Sequence, residues 1–369
     1  MASSVGVIFS SISEENVPDL TKVRSMGSIP YGGRYRLVDF ALSNMVNSGI
    51  TTVGMITKNN YQSLMDHLGS GKDWDLARKE GGLILLPPFS DESETLYKNR
   101  LEALRCATSF LNKCQQDFVI LADSDAIYKM DYSKLVDFAI EKNADFVLAY
   151  KRGPLNKSSY YITLETNADQ RVTAVNINPA DDGNDADNYI NVMVARRTFL
   201  LRVVRESIQR GLTSFGRDVL TRGVDTIRIF GYEFDGYYKN VNSMVAYFDA
   251  NMDLLKSDVR DEIFGGRDVY TKVNDSIPAK FMPSSVVRNS LVSDGCFIEG
   301  TVINSILFRG VKIGKGTVVR NCILMTDTQV GDKVTLDYVI TDKNSVIRDQ
   351  RTLAGCEIQP YFINKGSMI

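Results

Sequence analysis

Two acidic residues separated by one position, Asp123 and Asp125, close an apolar run that starts at Phe118. Carboxylates at the carboxyl end of a strand can hold a divalent cation against a phosphate. The plainer alternative is an acidic loop with both carboxylates in solvent. Three arginines, Arg24, Arg34 and Arg36, surround a Gly32-Gly33 turn. Guanidinium grips phosphate and carboxylate alike, so this cluster serves either an anionic ligand or ion pairs with carboxylates such as Asp39. His67 is the only histidine, and a lone ring on a helix with no evident partner reads as structural. The cysteines Cys106, Cys114, Cys296, Cys322 and Cys356 are scattered, with no Cys-x-x-Cys spacing. They read as free thiols buried in a reducing compartment.

The elements that must position these groups are organised around residues 24–57. After the Gly-Gly turn, Leu37, Val38, Ala41, Leu42, Met45 and Val46 fall on one helical face. Asn47, Ser48 and Gly49 read as that helix's end. Short apolar strands are expected at Val5–Phe9, Thr52–Thr57, Leu83–Leu86, Phe118–Leu121 and Phe146–Tyr150. Helices are expected between them, at Tyr61–Leu68, Glu94–Leu111 and from an Asp131 cap to Lys142. This alternation implies right-handed βαβ units and a mostly parallel sheet with helices on both faces. From about Tyr160 the strands crowd together, as in an antiparallel edge or subdomain. Asp181–Asp187 reads as an acidic loop. Helices over Thr198–Arg210 and Asn242–Leu255 close this part, with Tyr237 and Tyr238 as core or cleft wall.

Helical periodicity stops near Gly265. Asn289-Ser290-Leu291-Val292, Asn304-Ser305-Ile306-Leu307 and Asn321-Cys322-Ile323-Leu324 recur at 15 to 17 residues, three six-residue steps per turn. That is the period of a left-handed parallel β-helix, with the apolar residue of each step inward and glycine easing the corners. The expected division is residues 1–264, a connection over 265–283 and a β-helix over 284–369. The β-helix stretch contains no histidine, which disfavours the acyl transfer that such repeats can carry. At 369 residues and 44% hydrophobic, the chain can bury two cores without staples. A net charge of −2 argues against a nucleic-acid partner, since phosphate binding needs a basic face. Val5–Phe9 is too short for a signal peptide, and no run approaches the roughly 18 apolar residues of a membrane span. A cytoplasmic location is expected.

Residues 29–50, IPYGGRYRLVDFALSNMVNSGI, resemble the signature of the glucose-1-phosphate adenylyltransferase family over some twenty positions. The resemblance extends through Ile127-Tyr128, Phe215-Gly216-Arg217-Asp218 and the β-helix repeats. It implies an α/β fold: a Rossmann-like nucleotidyltransferase domain with a mostly parallel sheet, then a left-handed parallel β-helix. It also implies a glycine-rich loop, a lysine, and two carboxylates for Mg²⁺. The chain departs from each. Ser10-Ser11-Ile12-Ser13 stands in the glycine-rich loop, and Met26 stands where the lysine belongs. Asn99-Arg100-Leu101-Glu102-Ala103 replaces a nucleotide-contacting segment, and Ile177-Asn178-Pro179 a sugar-phosphate-gripping one. Asp125 keeps the first metal position, but Asn240 occupies the second, and an amide is a weaker Mg²⁺ ligand than a carboxylate.

Scaffold retained and site lost resembles the non-catalytic, GlgD-type glycogen-biosynthesis subunit of that family. The resemblance implies a chain that holds no cofactor of its own, Mg²⁺ belonging to a homologous catalytic partner subunit. It implies an oligomer, expected as a heterotetramer, in which this chain tunes its partner. Arginines at the Arg24 and Arg36 positions contact phosphorylated small-molecule effectors in the family. The competing readings are a weakly active nucleotidyltransferase, an Asp-x-Asp sugar-nucleotide glycosyltransferase, and a sugar-nucleotide sensor.

Overall fold

The computed structural model of the chain describes residues 3–369 apart from 13, 59, 88–96, 98 and 157. Ser4–Phe9 lies at the centre of a nine-stranded sheet, parallel to Phe118–Asp123 on one side and to Thr52–Ile56 on the other. Gly82–Leu86 extends that parallel half. The other half is mixed, with Ile229–Glu233 parallel to Phe146–Gly153. Ala186–Arg196 runs against both Phe118–Asp123 and Phe146–Gly153. The sequence placed antiparallel strands at an edge or in a subdomain. One of them instead sits inside the sheet, where Val192, Met193, Val194 and Ala195 are all buried. A strand covered on both faces needs a continuous apolar run, and this one has it.

Local chemistry sets the helix ends. Leu37–Asn47 is closed by Asp39, whose Oδ2 accepts from the Arg36 amide at 2.9 Å. Asp131 caps the next helix of the expected pattern, accepting from the Ser133 amide at 3.1 Å. The helix expected from Glu94 begins at Arg100, because Asn99 accepts the Glu102 amide at 3.0 Å and fixes the start there. Residues 94–96 and 98 of that expectation lie outside the described residues.

The carboxyl-terminal part is a parallel β-helix of three five-stranded sheets. Its first strand, Lys280–Phe281, pairs with Phe297–Ile298 and so falls within residues 265–283, expected as the connection. Inward positions stack in register, as Val302, Val319 and Leu336 do. The corners differ from expectation. Glycine holds some of them, but one whole edge is turned by Asn289, Asn304 and Asn321 at φ +41°, +46° and +49°. Asparagine tolerates that left-handed backbone and adds a side-chain ladder. Asn289 Nδ2 donates to Asn304 Oδ1 at 2.9 Å, and Asn321 Nδ2 to Asp337 Oδ1 at 2.9 Å.

The two parts share one core. Leu20, Tyr31, Phe40 and Tyr247 pack in the same cluster as Ile306, Phe308, Ile323 and Ile340 of the β-helix. The Gly32-Gly33 turn lies against the coils. Gly33 has φ +86°, and a Cβ there would meet Ser293 Oγ at 2.5 Å, so only glycine fits. Beside it Arg24 Nη2 donates to both carboxylate oxygens of Asp342, at 2.7 and 2.9 Å, both side chains 2% exposed. Removing one partner would leave a charge stranded among apolar groups. Asp342→Ala should therefore lower stability by about 3–5 kcal/mol, seen as a reduced denaturant midpoint. The double change Arg24→Met with Asp342→Leu should recover most of that loss.

Candidate functional site

Asp123 is the last residue of its strand, and a turn at Ser124 follows. That turn is pinned by the Ser124 amide and hydroxyl, each donating to the Phe9 carbonyl at 3.1 Å. Ala126–Tyr128 then pairs with Tyr238–Asn240, which sets Asn240 opposite Ala126. The Val241 amide donates to the Asp125 carbonyl at 2.8 Å. A two-stranded ribbon thus brings Asp125 and Asn240, far apart in sequence, to adjoining places. Asn240 Nδ2 reaches the Tyr238 hydroxyl at 3.4 Å. A β-bulge between Tyr189 and Val192, with Asn191 at φ +59°, shapes the opposite wall. A cleft of about 340 Å³ opens beside this wall, with Asn16, Arg100, Asp123, Tyr160, Tyr189 and Asn191 in its lining; Asp125 and Asn240 do not line it.

The carboxylates are not in solvent as the acidic-loop reading had it. Asp123 and Asp125 are 3% and 4% exposed. Arg100 Nη2 donates to Asp123 Oδ2 at 2.5 Å, and its guanidinium lies 4.7 Å above the Phe9 ring. Burial pushes the Asp123 carboxyl up to about 7, Arg100 opposes this and Asp125 adds to it. Burial pulls Arg100 down, but Asp123 more than compensates and holds it above its ordinary value. Asp123 Oδ1 and Arg100 Nη1 are buried without a hydrogen-bond partner.

Met26 is buried with Leu20, Ile29, Ile127 and Val241, beneath the ribbon. A lysine there would put its stem in an apolar cluster. The loop after the first strand is held down: the Ser10 amide and hydroxyl both donate to the Ile56 carbonyl, at 3.1 and 2.7 Å. Ile12 packs on the domain core. Glu14 and Glu15 follow in the same loop, and burial pushes the Glu14 carboxyl up to about 7, with Ser11, Lys58 and a Met26 backbone bond pulling it back. Sequence reasoning passed over these glutamates and Arg100. A charge count of that single loop was the available signal for the first, while Arg100 gave none, because its partner lies 23 residues on.

A Mg²⁺ site does not fit here. The donors are a carboxylate already paired with arginine, Asp125 and an amide. No group of three His, Cys, Asp or Glu side chains able to hold a metal occurs among the described residues.

The arginine cluster divides. Arg24 is withdrawn onto Asp342, so its ion-pair partner is a β-helix carboxylate rather than Asp39. Arg34 and Arg36 line a separate pocket of about 200 Å³ between the two parts, with Lys272, Arg309 and Lys343. Arg36 Nη1 donates to the Ser63 carbonyl and hydroxyl at 2.6 and 2.9 Å, and burial pulls its guanidinium down to about 10. Burial, then repulsion from Arg36 and Arg24, lowers the Lys343 ammonium to about 7. His67 is not partnerless. Its Nε2 lies 2.6 Å from Asp39 Oδ1, and burial, outweighing Asp39, lowers its pKa. It also meets Trp74 edge-on at 5.6 Å. Of the thiols, Cys296 and Cys322 are buried, whereas Cys356 is exposed, contrary to expectation.

Comparison with known proteins gives two families. Residues 7–257 match the nucleotidyl transferase family, and residues 277–359 match a GlmU-like, C-terminal hexapeptide region. The chain is 32% identical over 338 residues to the glucose-1-phosphate adenylyltransferase of Bacillus thuringiensis (strain Al Hakam), covering 89% of each protein. It is 33% identical over 308 residues to the same enzyme of Thermosipho africanus, covering 82% of this chain and 74% of the relative. For that of Clostridium botulinum (strain Alaska E43 / Type E3) the identity is 34% over 309 residues, with coverage of 82% and 80%. No helix among the described residues is long and apolar enough to cross a membrane.

The cationic pocket gives a pH signature. Lys343 carries its charge below about pH 7 and loses it above, since its folded pKa is depressed. Sulfate, which does not titrate in this range, should bind the pocket best below pH 7. Its affinity should weaken as pH rises through neutrality at constant ionic strength, as calorimetry would show. Lys343→Met should flatten that profile.

Proposed function

The chain belongs to the nucleotidyl transferase family, and we propose that it serves there as a regulatory, catalytically silent subunit of a glucose-1-phosphate adenylyltransferase. The reaction is that of its relatives' name: an adenylyl group passes from ATP to glucose 1-phosphate, giving ADP-glucose and pyrophosphate for glycogen biosynthesis. The observation that carries this reading is the Arg100–Asp123 ion pair at the end of strand Phe118–Asp123. Adenylyl transfer needs a metal and cations around the phosphates at that place. Here a guanidinium is bound to Asp123, beside the retained Asp125, and the second ligand position holds the Asn240 amide.

The phosphate loop supports the same reading. Ser10 and Ser11 are buried and Ile12 is packed down, so the backbone amides have lost the glycine-rich approach that phosphates require. Glu15 in the cleft lining adds a carboxylate where a triphosphate would need positive charge. Loss of one preorganised stabilising donor costs on the order of 10²–10³ in turnover. Several such losses at one site leave no measurable rate.

The work left to the chain is assembly and tuning in the cytoplasm, within a heterotetramer whose catalytic subunit has the same fold. The pocket of Arg34, Arg36 and Lys343 is suited to a phosphorylated effector. Because both parts of the chain wall it, an anion there would be linked to how they sit. Allosteric coupling then rests on contacts that differ between the partner's states.

The isolated chain should form no ADP-glucose from ATP, glucose 1-phosphate and Mg²⁺. Asn240→Asp alone should restore none, because the loop, Met26 and Arg100 remain. Adding the chain to its catalytic partner should change turnover or the response to effectors. Substantial activity of the isolated chain, abolished by Asp125→Ala, would instead make it an enzyme in its own right.

A further inference from the structure

We infer that Arg100 is a built-in cation, taking the place beside Asp123 and Asp125 that a divalent metal ion would otherwise hold. The inference rests on the reading of this cleft as silent and explains how the emptied site stays folded.

Two carboxylates separated by one residue are buried here at 3% and 4% exposure. Buried anions this close need a cation, or one of them must take up a proton. Arg100 supplies the cation from the first turn of helix Arg100–Lys113, whose start Asn99 fixes. Its guanidinium is stacked 4.7 Å over Phe9 and lies 2.5 Å from Asp123 Oδ2. Asp125 adds attraction to Arg100 as well. A divalent cation entering this place would meet a fixed positive charge in a largely desolvated site, where such repulsion is strong.

The geometry also separates this pair from an ordinary structural one. Arg24 and Asp342 use both carboxylate oxygens, at 2.7 and 2.9 Å. Arg100 makes a single contact with Asp123 and leaves its own Nη1 and Asp123 Oδ1 without partners. Placement of charge is what this one achieves. Removing that charge should return the site to a metal.

Mn²⁺ titration of the full chain, followed by the paramagnetic resonance of the free ion, tests this. The wild-type chain should show no site at sub-millimolar Mn²⁺. Arg100→Met keeps an apolar stem over Phe9 but removes the charge. It should lower the thermal midpoint and gain a Mn²⁺ site at least tenfold tighter, with Mn²⁺ raising the midpoint back. Adding Asp123→Asn should abolish the new site and recover stability without metal. Arg100→Lys should behave as wild type toward Mn²⁺. Mn²⁺ bound by the wild-type chain and lost in Asp123→Asn would overturn the inference, and this arm does not depend on how Arg100→Met folds. A folded Arg100→Met chain that binds no Mn²⁺ would overturn it too. Turnover is not read in any arm, so failure here stays separate from failure of the silent-subunit reading.

Discussion

The buried pair between Arg24 and Asp342 is the contact on which the rest of the molecule depends. Two full charges removed from water are tolerable only while each holds the other. That requirement fixes the β-helix against the sheet domain at one orientation. Around it the apolar cluster of Leu20, Tyr31, Phe40, Ile306 and Ile323 closes, and Gly33 lets the turn touch the coils. The cationic pocket exists because of this docking. Its floor comes from Arg36 on one side and Lys343 on the other, and Lys343 is the neighbour of Asp342 in sequence.

Arginine is used in three distinct ways within this one scaffold. Arg24 is spent wholly on docking. Arg36 is anchored to Ser63 by one nitrogen, in a pocket with an excess of cations. Arg100 neutralises an acidic strand end. The same side chain gives three outcomes because burial and the nearest carboxylate differ at each place. The cleft and the pocket are therefore electrostatic opposites. In the cleft the arginine is matched by a carboxylate, while the pocket lining holds more cations than carboxylates.

Much of this was legible in the sequence. The strands ending at Phe9 and Ile56 announce themselves as continuous apolar runs, because both faces are buried, and the coils of the β-helix by their repeat. Asp125 and Asn240 could be paired through a family resemblance, and the ribbon does bring them together. Pairings that depend on distant partners were not legible. Arg24 gave no hint of Asp342, nor His67 of Asp39, since nothing local distinguishes a charge that will be matched by tertiary contact. The interior place of Ala186–Arg196 was missed for a similar reason: strand order is settled by packing rather than by the strand's own pattern. Asparagine at the β-helix corners escaped notice because glycine is the usual residue for that backbone, whereas the ladder between coils rewards a side chain.

The spacing of the docking pair bears on how the protein is made. Arg24 and Asp342 are 318 residues apart. At synthesis rates of about 5–20 residues per second, the interval between them on the ribosome is roughly 15–60 s. Through that time the sheet domain emerges with an unmatched guanidinium and one uncovered apolar face. Nascent chains are therefore exposed to chaperones and proteases until the last coil is added, and any truncation before that coil yields a product that cannot seal.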